Sequence, residues 1–113
     1  MLAIRGLIGT ATVAIGFGMM PVEAFAQQAE AGHQIAKTWC AGCHQVERTG
    51  QATQSDAIPS FASIARMKST TLTSLQVFLS TPHAQMPDYT LTRDEIRNVS
   101  SYIMSLKPTN SEP

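Results

Sequence analysis

An all-α domain is the fold class that this sequence calls for. Apolar residues recur at three- and four-residue spacing in separate stretches, and none alternates as a half-buried strand would. The best-marked stretch opens on a capping box. Three to four helices follow from this pattern, in a chain of 113 residues with room for one domain.

The N-terminus stands apart from that domain. Arg5 precedes an uncharged run from Gly6 to Val22, and Ala24-Phe25-Ala26 places small residues at the minus-three and minus-one positions of a cut. Residues 1–26 therefore read as a secretory signal peptide removed after Ala26. A retained anchor is the competing reading. It is the poorer one, because the run holds four glycines (Gly6, Gly9, Gly16, Gly18) and Pro21, and a spanning helix wants about 20 mostly apolar residues.

The expected domain is 27–113, with an ordered core of about 29–107. Its first helix runs from about Glu30 to Cys43, with Ile35 and Trp39 on one face. Gly32 inside it costs helix stability and suggests a close packing role. Gln45 to Ile58 is polar around Gly50 and reads as a loop. A short helix follows Pro59 and uses Phe61, Ile64 and Met67. Leu72, Leu75, Phe78 and Leu79 mark a middle helix that ends before Pro82. Thr92 caps the last helix with Glu95 reaching back, and Leu91 and Ile96 stand where a hydrophobic staple would put them. Ile96, Val99, Ile103 and Leu106 then recur on one face with Tyr102 beside them, and Pro108 ends the run. There are no internal repeats or linkers.

Lys and Arg number eight and Asp and Glu eight, for a formal net charge of zero. That balance argues against nucleic acid or an anionic membrane surface as partner. Removing 26 residues leaves a domain so short that it usually needs a staple, whether disulfide, metal or cofactor. Two cysteines three apart, Cys40 and Cys43, could close only a tiny loop.

Those cysteines belong to Trp39-Cys40-Ala41-Gly42-Cys43-His44, which contains Cys-x-x-Cys-His, the attachment signature of c-type haem. Residues three and four apart share a helix face, so both sulfurs and the imidazole can meet one flat ring. Cys40 and Cys43 would form thioethers to the vinyl groups, and His44 would take the proximal side of the iron. A thioredoxin-type redox pair should sit near a βαβ pattern, which this sequence lacks. A zinc site would need Cys40 and Cys43 with two of His33, His44 and His83, at spacings unlike a finger.

With Gly32 eight residues before Cys40, the motif itself, Tyr102 in the last helix and Pro59 past the motif, the chain resembles a small class I c-type cytochrome from Gly32 to Leu106. The resemblance implies a small cytochrome c fold of three to four helices wrapped around one covalently attached haem c. It implies a tight crossing of the first and last helices. Ala36 stands where the family usually has an aromatic, with Trp39 or Ile35 as the residues to compensate. It also implies that the Pro59 carbonyl accepts a hydrogen bond from His44 Nδ1, and that Phe61 packs on the haem.

Met86-Pro87 is where the family places its distal methionine. Independently, Met86 lies in a loop stiffened by Pro82 and Pro87, whereas Met67 and Met104 read as helix packing. His83 is the rival ligand, since bis-His ligation also fills both axial sites. His33 is expected to be exposed, and Trp39, Ser60 and Tyr89 are candidates to reach a propionate. Arg66 and Lys68 read as a solvated face.

A haem with both axial positions filled by the protein exchanges electrons and binds no substrate. The expected function is a soluble periplasmic one-electron carrier, monomeric, meeting its redox partners through small and transient contacts. Two alternatives remain. One is a cytochrome subunit dedicated to a periplasmic dehydrogenase or reductase complex. The other is a haem peroxidase-type enzyme, which would require Met86 to be absent or labile.

Overall fold

The computed structural model describes residues 22–49 and 57–109. Most of the expected signal peptide, the part of the polar loop around Gly50, and the last four residues lie outside them. Four helices make up the described chain: α1 (Val22–Trp39), α2 (Phe61–Arg66), α3 (Leu72–Leu79) and α4 (Arg93–Ser105). The all-α expectation holds.

The first helix differs from its expected span at both ends. It begins at Val22 rather than Glu30, because the segment between them is rich in Ala, Glu and Gln, all good helix formers. An apolar-periodicity reading does not register such residues. The helix also stops at Trp39, four residues short of Cys43.

Ala29, Gly32 and Ala36 form the buried stripe of α1, and α1 packs chiefly on α4. Gly32 is indispensable to that approach. A Cβ there would run into the Asn98 carbonyl and stand 2.8 Å from Val99 N. Ala36 is fully buried beside it. Small residues let the two backbones touch, and the larger side chains of α4 then fill the space on either side.

Each remaining helix is capped as its sequence dictates. Thr92 Oγ1 accepts from Glu95 N at 3.2 Å, and Thr92 N donates to Glu95 Oε2 at 2.7 Å. Thr71 and Ser74 form the same reciprocal pair at the start of α3. Ser60 caps α2 by accepting from Ser63 N at 3.1 Å. Phe61, Leu75, Val99, Tyr102, Ile103 and Leu106 meet with Val46 in one core, so the segment after α1 is built into the interior.

Candidate functional site

Cys40 to His44 leave α1 in a tight turn. Cys40 N and Ala41 N both donate to Ala36 O, at 2.9 and 3.0 Å, and Cys43 N and His44 N both donate to Cys40 O, at 3.1 and 2.9 Å. Two amides on one carbonyl pull the chain out of regular α geometry. Cys40 and His44 are nonetheless brought to one side, where both line a cavity of about 410 Å³. Cys43 is exposed and does not line it.

His44 is half-buried, and its Nδ1 lies 2.7 Å from Pro59 O. A carbonyl can only accept, so Nδ1 carries the proton and Nε2 keeps its lone pair. Pro59 and Phe61 sit beside the imidazole because Phe61 N donates to Gln45 O at 2.9 Å. The Phe61 ring lies 5.5 Å from His44, tilted by 50°.

The cavity is of cofactor size and its walls are mainly apolar. Cys40, His44, Pro59, Phe61 and Met86 all line it, together with Ile64, Leu75, Leu79 and Ile103. Five of the six site residues expected from the sequence therefore converge. Burial pushes the Cys40 thiol above its ordinary value, as suits a sulfur held in an apolar wall. Two polar residues at the margin are committed to backbone. Thr70 Oγ1 donates to Ile64 O at 2.7 Å, and Ser74 caps α3. The Thr71-x-x-Ser74 spacing was the sequence signal for that second cap.

Met86 comes from the segment between α3 and α4, and its amide donates to His83 O at 3.2 Å. His83 goes elsewhere. Its ring stacks on Phe78 at 3.6 Å and 24°, and it lines a smaller adjoining cleft rather than the large cavity. Trp39 and Tyr89 also line the small cleft, 5.4 Å apart. Ser60 serves as a helix cap. These placements remove Trp39, Ser60 and Tyr89 from the cavity lining.

His33 is a correction. It is half-buried, stacked on Tyr102 at 4.6 Å and 23°, with Nε2 2.9 Å from Glu47 Oε1. It supplies a ring to the α1–α4 crossing, and of the two residues the sequence suggested there Ile35 packs partly buried against the core. Trp39 instead stays half-exposed. Among the described residues, no three His, Cys, Asp or Glu side chains gather in a group fit to hold a metal ion. The zinc set is thus not assembled: His33 is on the crossing and His83 on Phe78.

The cavity with a covalent-attachment motif at its edge accords with a sequence comparison, in which the profile of the cytochrome c family matches residues 29–107. The chain belongs to the cytochrome c family. It is also similar to cytochrome c-552 of Bradyrhizobium diazoefficiens, 46% identical over 82 residues that cover 71% of this chain and 78% of that protein. No solved structure gives a significant match. Family membership means one covalently bound haem c, a non-enzymatic electron-transfer role and redox proteins as partners. The residues around the cavity fit that group: an apolar slot, a histidine with a free ring nitrogen, a thioether side chain and a cysteine in the wall.

Proposed function

We propose that the protein is a soluble periplasmic one-electron carrier whose iron is held by His44 and Met86. One observation carries this reading: a histidine whose Nδ1 is committed to Pro59 O shares a single apolar cavity with Met86. A bound haem c supplies the ferric–ferrous couple. The chain's residues divide the rest of the work. Cys40 and Cys43 would attach the ring through thioethers, with Gly42 between them free of any protein atom within 4 Å of a Cβ position. Pro59 fixes the His44 ring and increases its donor strength. Phe61 would pack against the haem beside His44, and Met86 would supply a thioether sulfur to the iron, which favours the reduced state relative to a second imidazole.

Export through residues 1–26 is part of the same proposal. A cut after Ala26 would remove only exposed positions of the α1 start, since the buried stripe begins at Ala29. Among the described residues no helix is long and apolar enough to cross a membrane. Partners would dock transiently near the cavity mouth and depart after each electron.

An optical spectrum with a redox titration of wild type against Met86→Ala tests the ligand assignment. The variant should lose its sulfur-to-iron charge-transfer band and fall in reduction potential. An unchanged spectrum would transfer the distal role to His83.

A further inference from the structure

The four residues that follow His44 are each tied to a distant part of the chain. Gln45 O accepts from Phe61 N at 2.9 Å. Val46 is buried, and its carbonyl accepts a buried hydrogen bond of 2.6 Å from the Tyr102 hydroxyl on α4. The Glu47 carboxylate meets His33 Nε2 of α1 at 2.9 Å. Arg48 donates to Ser105 O at 2.6 Å and to Leu106 O at 3.5 Å. Those two carbonyls close α4, where helical partners have run out.

Four consecutive side chains or carbonyls are thereby anchored to α1, α2 and α4. The His44 ring has one hydrogen bond of its own, to Pro59 O. Its position otherwise follows the backbone on either side. The bond from His44 N to Cys40 O governs the N-terminal side. Residues 45–48 govern the other. Tyr102 reaches this segment twice, through its hydroxyl to Val46 and through Phe61, whose ring lies 6.4 Å from it and 5.5 Å from His44.

We infer that residues 45–48 form a strap through which the α1–α4 crossing sets the orientation of His44, with Tyr102 as its chief positioning residue. This rests on His44 being the proximal iron ligand. The buried hydroxyl–carbonyl bond is the pin least replaceable by water, because losing the hydroxyl leaves Val46 O without a partner in the core. The His33–Glu47 pair is nearer the surface and holds the strap more weakly.

The test uses the haem-loaded, reduced protein and reads solvent exchange of the His44 Nδ1 proton by NMR, alongside the reduction potential. Tyr102→Phe should accelerate exchange about tenfold and shift the potential. Glu47→Ala, a change at an exposed position that keeps the core intact, should accelerate exchange by a smaller factor. Thr92→Ala lowers stability through the start of α4, away from the strap, and should leave the exchange rate at the wild-type value. Exchange in Tyr102→Phe and Glu47→Ala no faster than in Thr92→Ala would overturn the inference while leaving the ligand assignment standing. A wild-type spectrum without His44 ring signals shifted by the haem ring current would overturn the ligand assignment, and the strap's role with it.

Discussion

Of the two ring nitrogens of His44, Nδ1 is committed to the Pro59 carbonyl and Nε2 makes no hydrogen bond among the described residues. That division follows from a carbonyl, which cannot donate, placed 2.7 Å from Nδ1. Gly32 is a second residue whose identity is dictated by one contact. Gly32→Ala would force a Cβ into the Asn98 backbone and should destabilise the holoprotein by about 3 kcal/mol or more, read from the denaturation midpoint. Tyr102 is the third. Burial first, then repulsion from Glu47, raises its phenol above the ordinary value of 10.0, with Arg48 pulling it back and Glu30 adding the smallest push. The unfolded chain therefore ionises first as pH rises. The stability Tyr102 contributes is complete below about pH 10 and is lost as pH climbs through the folded value. Tyr102→Phe should lower stability at neutral pH by about 1–3 kcal/mol and flatten the alkaline limb of a denaturation profile.

At the scale of the element, the helices are marked by their caps more reliably than by their lengths. The Thr92–Glu95 box holds the Glu95 carboxyl below the ordinary carboxylate range, through its hydrogen bonds with the Thr92 backbone and side chain. The folded state thus binds this proton less readily than the unfolded one. Its stabilisation is present above the unfolded value and disappears as pH falls through the folded one. Glu95→Gln should reduce the acid slope of the urea midpoint between those two values. Thr92→Ala should cost about 1 kcal/mol at neutral pH. The ends of α1 were not legible in this way. Its first described turns carry Ala, Glu and Gln rather than a core stripe. Its C-terminal end depends on the sharing of the Ala36 and Cys40 carbonyls, which spacing alone does not reveal.

For the whole molecule, the mainly apolar walls of the cavity are the surface that a bound haem would take out of water. The haem must therefore act as a core component. A Cys40→Ala/Cys43→Ala variant, unable to form thioethers, should lose most of its far-UV helical signal once free haem is removed by extraction. Retention of a native-like, cooperatively melting helical signal in that apoprotein would contradict this. The size of the cavity also accounts for the burial pattern of so short a chain. Its largest apolar side chains on α2 and α3 face the slot as much as they face each other.

The covalent-attachment motif, the helical class and the Thr92–Glu95 cap of α4 were legible in the sequence, because each of these is written in residues a few positions apart. Met86 and Pro59 were legible as positions along the chain. Only the tertiary structure decided that they share one cavity with His44, and that His83 leaves it to stack on Phe78. It alone revealed His33 on Tyr102 and the ties that hold Val46, Glu47 and Arg48. These contacts join residues 14 to 69 positions apart. Local propensity and periodicity carry no information over such separations, and the close crossing of α1 and α4 at Gly32 is what brings the partners together.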